Sequence, residues 1–191
     1  MKVIIQTENS SLKIIKHNLN ELVEKSISEI DEKLHKNPEI RVYGRICHQH
    51  RNVGFFSDTS IGYRYSNQLS KSIPLTPSLK IILEKINKIF DTDYNGILVN
   101  KYKDGSDYIS AHSDDESGLS SVGVCAISYG TPRNFRIRDK KTNKIVANIN
   151  TLENEIIMMD GHFQKEFTHE IPVQKKIKES RYSFTFRKHL H

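Results

Sequence analysis

Hydrophobic positions in the first half of the chain recur at steps of three and four residues in two segments, which is the spacing of one face of a helix. The first segment begins near Asn18 and its pattern ends before Pro38. The second begins at Thr76 and Pro77, a capping residue followed by a residue suited to the first turn of a helix. The pattern therefore predicts two helices that pack against a core. Their apolar positions are Leu19, Leu22, Val23, Ile27, Ile30 and Leu34 in the first, and Leu79, Ile82, Leu83, Ile86 and Phe90 in the second.

After Tyr94 the pattern changes to short apolar stretches separated by turn residues, which is typical of β-strands. Residues 41–73 also lack helical spacing and mix aromatic with polar positions, so they predict short strands joined by exposed loops. Many strands at close spacing indicate a sandwich or a barrel. We therefore predict one α+β domain over residues 1–191, in which an N-terminal extension with a helix (1–40) and a second helix support a β core over 94–191.

Composition adds a basic, soluble surface to this prediction. With 36% hydrophobic residues the chain can form a core, and no apolar stretch is long enough to cross a bilayer. The first residues contain too short an apolar run for a secretory signal, so we expect a soluble intracellular protein, nuclear or cytoplasmic, without membrane contact. Cys47 and Cys125 have no paired spacing that would indicate a disulfide framework or a zinc site. The net charge of +6 favours a polyanionic partner such as nucleic acid, although a solubilising surface explains it equally well.

A histidine stands next to three acids in AHSDDE, residues 111–116. If this segment enters a strand, alternation places His112 and Asp114 on one face, where both can bind one metal. A third ligand has to come from another strand, and FTHEIP offers His169. Two histidines and one carboxylate leave positions on a metal open, an arrangement typical of non-haem Fe(II) oxygenases. Because histidine and aspartate also fall at this spacing by chance in solvated turns, a second feature is needed.

The last predicted strand, RYSFTFR, provides that second feature. Alternation puts three aromatic residues on one face and a polar set on the other, namely Arg181, Ser183, Thr185 and Arg187. Asn100 and Tyr102 share one face of an earlier strand. A bound dicarboxylate needs a guanidinium at each end and neutral donors between them, which is what a 2-oxoglutarate site requires. For the last strand taken alone, the alternative is an edge strand with an exposed basic face.

Three runs occur in the order NKYKDGSDYISAHSDDE, MMDGHFQKEFTHEIP and RYSFTFRK. They resemble the AlkB family of Fe(II)/2-oxoglutarate-dependent nucleic-acid dealkylases, particularly the animal branch that repairs duplex DNA. The resemblance extends from about Val42 to the C-terminus and leaves the first forty residues outside. It implies a double-stranded β-helix, or jelly-roll, core with supporting N-terminal helices. The implied Fe(II) ligands are His112, Asp114 and His169, and the implied 2-oxoglutarate ligands are Arg181, Arg187, Asn100, Tyr102, Thr185 and Ser183, the last of which stands where the family usually has Asn.

The resemblance also implies the reaction. With O2, such an enzyme converts 2-oxoglutarate to succinate and CO2 and removes the methyl group of an N-alkylated base as formaldehyde. The implied substrates are bases of the 1-methyladenine and 3-methylcytosine type in DNA or in RNA, and we expect a monomeric enzyme. Two alternatives remain open: an oxygenase of the same fold that acts on protein or a small molecule, and a nucleic-acid-binding module without turnover.

The acids that follow the metal motif are candidate base contacts, because the implied substrates are cationic. Asp115 would favour the charged ring, and Glu116 lies next to it. The alternative for both acids is a turn or a salt bridge to an arginine such as Arg136 or Arg138.

By the same resemblance, residues 41–75 are nucleotide-recognition loops. Tyr63 and Tyr65, followed by Ser66, match positions near the extruded base, with core packing as the alternative. Tyr43 matches a finger that enters the duplex. Arg51 is either a contact to phosphate or to the opposite strand, or an exposed solubilising residue. Basic residues proposed for phosphate contacts are Arg133, Arg136, Arg138, Lys140, Lys175 and Lys176.

Overall fold

The computed structural model describes residues 1–42, 44–65, 68–115, 119 and 122–190, without the side chains of residues 42, 65 and 68. The helices are α1 (Asn20–Ile30), α2 (Pro77–Phe90) and the short α3 (Phe163–Glu166). The strands are β1 (Lys2–Gln6), β2 (Ser10–Lys16), β3 (Glu39–Val42), β4 (Arg45–His48), β5 (Asn52–Phe56), β6 (Gly62–Tyr65), β7 (Gln68–Lys71), β8 (Gly96–Tyr102), β9 (Ile109–His112), β10 (Val124–Gly130), β11 (Asn134–Asp139), β12 (Ile145–Asn150), β13 (Glu155–Gly161), β14 (Phe167–Ile171) and β15 (Arg181–Arg187).

Two antiparallel sheets face each other across an apolar layer. The larger has the strand order β1-β2-β13-β10-β15-β8-β5, and the smaller has the order β12-β11-β14-β9. Side chains from both sheets fill the layer, including Ile157 and Met159 from β13 and Phe135 and Ile137 from β11. The predicted jelly-roll core and α+β class are therefore confirmed. Because β15 pairs with β10 on one side and β8 on the other, it is not the edge strand that its sequence alone also allowed.

The two longer helices cover the other face of the large sheet. Leu79, Ile82 and Ile86 of α2 pack in one cluster with Val99 and Phe184 of the sheet. The α2 helix begins as predicted, with Thr76 as its N-cap and Pro77 in its first turn. The α1 helix is shorter than predicted, because it ends at Ile30 and a short 3₁₀ turn (Asp31–Lys33) follows.

The first sixteen residues form a hairpin that the sequence did not predict. Its second strand, β2, pairs with β13 along its whole length, so the hairpin extends the large sheet. Leu12 and Ile14 of β2 are buried. Their alternation with polar residues in SSLKIIK is the signal that could have revealed this strand.

Two further hairpins, β3–β4 and β6–β7, form separate two-stranded sheets beside the core. Apart from the first two residues of β3, they fall within residues 41–73, where short strands joined by loops were predicted. The β5 strand of the same stretch is paired with β8. Gly44 follows β3 with φ +78, a conformation that favours glycine, and it lies in the β3–β4 connection. In the described part of the chain, no helix has the length and apolar character needed to cross a membrane.

Candidate active site

Neighbouring strands of the smaller sheet bring two histidines together. His112, the last residue of β9, is the register partner of His169 on β14, and their ring centroids lie 4.4 Å apart. Asp114 lies in the bend after β9, so the predicted strand alternation stops at His112. The Asp114 backbone N–H donates to the Gln164 side-chain oxygen at 2.9 Å. The carboxylate thus reaches the two imidazoles through a bend held by Gln164.

These three side chains form a cluster that one metal ion can contact. Nε2 of His112 lies 3.9 Å from one Asp114 carboxylate oxygen, and Nε2 of His169 lies 3.6 Å from the other. The ligand atoms lie within 4.8 Å of one another, and the described residues contain no second cluster of this kind. His162, which stands close to His169 in sequence, is exposed and outside the cluster.

Burial sets the protonation of the cluster. Burial and the neighbouring His112 lower the pKa of His169 to about 3. Burial also lowers the pKa of His112, whose Nδ1 lies 2.8 Å from the Ser110 carbonyl oxygen, an acceptor for the ring proton. Burial alone would raise the pKa of Asp114, but Arg187 and the two histidines outweigh it and lower this pKa to about 2. At neutral pH the cluster offers two neutral imidazoles and a carboxylate, the ligand set of an open Fe(II) site.

Arg187 lies beside the metal cluster at one end of the pocket. Its side chain is 1% exposed, and Nη2 donates to the Asp114 carboxylate at 3.0 Å. The guanidinium also lies over the Tyr63 ring, 5.0 Å from its centroid. Arg187 therefore links the metal ligands to the aromatic wall of the pocket.

Arg181 occupies the opposite end and has neutral partners. Its Nε donates to the Thr151 hydroxyl at 3.1 Å, and its Nη2 donates to the Ser128 hydroxyl at 2.8 Å. The guanidinium lies over the Tyr102 ring, 5.2 Å from the centroid. Its Nη1 is buried and has no hydrogen-bond partner among the described residues. Burial lowers the pKa of Arg181 to about 10, so the group stays charged at neutral pH and offers a donor to an anion.

Neutral groups lie between the two arginines, as the parity of the strands predicted. Asn100, Tyr102, Ser183 and Thr185 are all buried and line the same cavity. The Asn100 side-chain oxygen accepts from Nε of Arg51 at 2.8 Å.

These residues fit a divalent metal and a dicarboxylate. The buried, unpartnered donor of Arg181 requires an acceptor, and the neutral imidazoles with Asp114 require a cation. His112, Asp114 and His169 would hold the metal, and the two arginines would bind the carboxylates.

The predicted substrate contacts differ in where the structure places them. Tyr63 is 5% exposed and lines the pocket, while Asp115 is exposed. Asp115 lies 3.6 Å from Lys140 and not beside Arg136 or Arg138, the partners considered for it. Tyr43, Ser66, Glu116 and the side chain of Tyr65 lie outside the described residues.

Several basic residues have structural partners instead of the predicted phosphate contacts. Arg51 is 3% exposed, so it is not an exposed solubilising residue, and its contact with phosphate or the opposite strand stays a prediction. Arg133 is 1% exposed and donates to carbonyl oxygens on two loops, including that of Asp107, so its predicted phosphate contact is wrong. Arg136 and Arg138 share the Glu170 carboxylate at 3.2 and 3.0 Å.

Sequence reasoning missed three groups that orient the predicted ligands. Gln164 holds the bend of Asp114, and its place in the run MMDGHFQKEFTHEIP was a signal without an assigned role. Ser128 and Thr151 hold Arg181, and no local pattern distinguishes them from ordinary strand residues.

The fold and the site together define a class of protein, and comparison with known families agrees. The family model of the 2OG-Fe(II) oxygenase superfamily matches residues 10–187, so the chain belongs to this superfamily. The predicted iron, 2-oxoglutarate and O2 dependence of a dioxygenase is confirmed at this level. The match begins at residue 10, so residues 10–40 lie within the family region, although the resemblance left the first forty residues outside it.

Comparison with individual proteins shows which members of the superfamily the chain is similar to. The chain is 27% identical over 157 residues to DNA oxidative demethylase ALKBH2 of Bos taurus, a match covering 78% of this chain and 56% of that protein. It is 29% identical over 135 residues to alpha-ketoglutarate-dependent dioxygenase alkB homolog 3 of Rattus norvegicus, covering 65% and 46%. The chain thus spans about half the length of these relatives. The solved structure of OsALKBH1 shares the fold, with a TM-score of 0.60 at 14% identity, over 96% of this chain and 100% of that one.

Proposed function

We propose that this protein demethylates N-alkylated bases of the 1-methyladenine and 3-methylcytosine type in DNA or RNA. The observation that carries the proposal is the metal cluster beside a pocket with a buried arginine at each end. The names of the relatives, a DNA oxidative demethylase among them, support the choice of nucleic acid as the substrate.

Each residue of the site has a role in this reaction that follows from its position. When bound, Fe(II) with O2 and 2-oxoglutarate supplies the oxidation that places a hydroxyl group on the methyl carbon, with succinate and CO2 as products. His112, Asp114 and His169 would hold the metal, and Arg181 would bind a carboxylate of 2-oxoglutarate. The hydroxymethyl group on the base nitrogen then leaves as formaldehyde: the hydroxyl gives up its proton, the C–N bond breaks, and the nitrogen recovers its lone pair as the ring becomes neutral.

Asp115 selects the substrate by charge under this proposal. Its carboxylate is exposed next to the metal ligand Asp114, and its ion pair with Lys140 is long at 3.6 Å. Exposed pairs of this kind contribute roughly 0–1 kcal/mol, so a cationic base can replace the lysine. An alkylated adenine or cytosine ring carries that positive charge, and the unmodified ring does not.

Base extrusion completes the proposal, because a methyl group inside a duplex is out of reach of the pocket. Tyr63 already forms a wall of the cavity, and Tyr65, Ser66, Glu116 and the Tyr43 finger remain predictions. Lys175 and Lys176 are exposed and available for phosphate contacts.

The proposal is tested with anaerobically purified protein given Fe(II), 2-oxoglutarate, O2 and oligonucleotides that carry 1-methyladenine or 3-methylcytosine. Single-stranded and duplex DNA and RNA are compared, and mass spectrometry follows loss of the methyl group. Demethylated base together with succinate is expected. Succinate without demethylated base would point to another substrate, and neither product would favour a binding module.

A variant then tests the role of the exposed acid. Asp115→Ala is expected to lower demethylation by on the order of tenfold or more, with metal affinity unchanged, because the carboxylate contacts the base and not the metal. The matched control is Asp93→Ala, which removes another exposed acid paired with a lysine, Lys188 at 2.9 Å. Equal activity of Asp115→Ala and wild type would remove the proposed role.

A further inference from the structure

A second cavity lies next to the catalytic pocket, between the hairpins β3–β4 and β6–β7. It is an open groove of about 470 Å³. Pro38, Ile40 and Leu69 give it apolar walls, and Lys71 also lines it. Tyr63 lines both this groove and the catalytic pocket, so the two cavities share one side chain of their walls.

Gln49 gives the groove a specific polar feature. The residue is 9% exposed, and its side-chain Oε1 is buried without a hydrogen-bond partner among the described residues. Its backbone is fixed, since its N–H donates to the Pro38 carbonyl and its carbonyl accepts from the Asn37 side chain, both at 2.9 Å. The backbone of Gln49 is therefore fixed, and its buried side-chain oxygen is an unused acceptor at the groove. A buried acceptor in this state is rare in folded proteins and is satisfied when a ligand brings an N–H or O–H group to it.

The chemistry of the groove favours one kind of occupant. A phosphate group carries no donor at neutral pH and would place its negative charge against the Gln49 oxygen. A nucleobase has flat apolar faces for the groove walls and an amino group for the acceptor. Adenine fits best, because glutamine pairs with its amino group and a ring nitrogen at once.

We propose that the groove binds an adenine that neighbours the methylated base, with the adenine amino group donating to Gln49 Oε1. This inference rests on the proposed nucleic-acid substrate. It makes Gln49 a specificity-determining residue: the enzyme would read the sequence next to the lesion as well as the lesion itself.

The test changes one amino group and one side chain. Single-stranded oligonucleotides carry 1-methyladenine with either adenine or unsubstituted purine, which lacks only the amino group, at the 5′ or the 3′ neighbouring position. Demethylation kinetics are measured for wild type, Gln49→Leu and Gln49→Glu. In the wild type, loss of the amino group at one of the two positions is expected to raise KM roughly two- to tenfold, the range of one hydrogen bond.

The variants decide the cause of that difference. Gln49→Leu is expected to bind both oligonucleotides equally, and Gln49→Glu, which keeps an acceptor, is expected to retain a preference for adenine. The KM for 2-oxoglutarate and the melting temperature show that Gln49→Leu is folded. Demethylation with no dependence on the amino group at either position, or the same dependence in Gln49→Leu, would overturn the inference and leave the proposed function standing. Absence of demethylation on every oligonucleotide would instead overturn the proposed function, and this inference with it.

Discussion

The two ends of the catalytic pocket carry the same kind of side chain with different partners. Arg181 and Arg187 lie on one face of β15 and are 4% and 1% exposed. Arg187 donates to the Asp114 carboxylate, whereas Arg181 donates to the hydroxyls of Ser128 and Thr151. Among the described residues, no carboxylate is placed to neutralise Arg181. The metal end is therefore balanced in charge before a ligand binds, and the other end is not.

This difference predicts that the two ends of the pocket contribute unequally to the binding of a dicarboxylate. A buried charge without an opposite charge is unfavourable, so the Arg181 end gains most when a carboxylate arrives. At the other end a carboxylate has to share Arg187 with Asp114. The unbalanced end should thus dominate the affinity for 2-oxoglutarate, and the balanced end should dominate the affinity for the metal.

The largest effect is expected from breaking the balance at the metal end. Asp114→Asn removes a metal ligand charge and leaves Arg187 buried without its carboxylate. Metal affinity should fall by more than about 100-fold, and the free energy of unfolding of the metal-free protein should fall by about 3 kcal/mol. Calorimetric titration with Mn²⁺ and urea unfolding measure the two quantities.

Asp93→Asn is the matched control for this change, because it breaks an exposed ion pair with Lys188. Its stability should stay within roughly 1 kcal/mol of wild type. A metal-free Asp114→Asn protein as stable as this control would show that Arg187 does not need the carboxylate.

The next effect separates the two arginines. Arg181→Met should raise the KM for 2-oxoglutarate on the order of 100-fold, with a smaller loss of stability than Arg187→Met, because the charge that is removed has hydroxyl partners and no carboxylate partner. Arg187→Met leaves Asp114 buried and unpaired, so its metal-free form should lose about 3 kcal/mol. Thermal and urea unfolding compare the variants, and an equal loss of stability in both would contradict the difference between the ends.

The residues at the two ends of the pocket show which parts of the site could be predicted from the sequence. The alternation in RYSFTFR predicted both arginines on the pocket face of one strand, since strand parity is local. The cluster of His112, Asp114 and His169 followed from ligand chemistry. The partners of the arginines could not be predicted, because Ser128 and Thr151 come from distant segments and ordinary patterns.

The errors have the same cause. Arg133 was predicted to contact phosphate because it begins a run of basic residues, and one interpretation of Arg51 was an exposed solubilising residue. Both are buried and hydrogen-bonded to groups far away in sequence. The β1–β2 hairpin was missed because its pairing with β13 is a contact between the two ends of the chain. Local periodicity identifies elements and faces, and the partners that balance buried polar groups depend on the tertiary fold.

A smaller effect tests the side chain of Gln164, which holds the bend that contains Asp114. Gln164→Leu removes the acceptor of the Asp114 N–H, so metal affinity should fall about tenfold while the KM for 2-oxoglutarate stays unchanged. The matched variant is Gln174→Leu, which changes a glutamine that does not line the pocket and whose side-chain oxygen accepts from Nε of Arg133. It should lower stability and leave metal affinity as in wild type. Equal metal affinities in the two variants would contradict the role of Gln164.

The last effect comes from acid. The pKa of His169 is about 3 in the folded protein, and an unfolded histidine has a pKa of about 6.5. Between these values the unfolded chain binds a proton that the folded chain does not, so the stability of the metal-free protein should fall as pH decreases below about 6.5. The slope contributed by each such histidine is at most about 1.4 kcal/mol per pH unit. Urea unfolding at several pH values between 7 and 5 measures it.

Acid should act on one end of the pocket only, because Arg181, with a pKa of about 10, stays charged throughout this range. His169→Gln should therefore show a shallower slope, although not a flat one, since burial also lowers the pKa of His17 and that of His112. His162→Gln, which changes an exposed histidine of the same region, should keep the wild-type slope. If the stability of His169→Gln changed with pH as steeply as that of wild type, the metal end would not be the acid-sensitive part of the fold. The proposed difference between the metal end, which titrates, and the Arg181 end, which stays charged, would then be wrong.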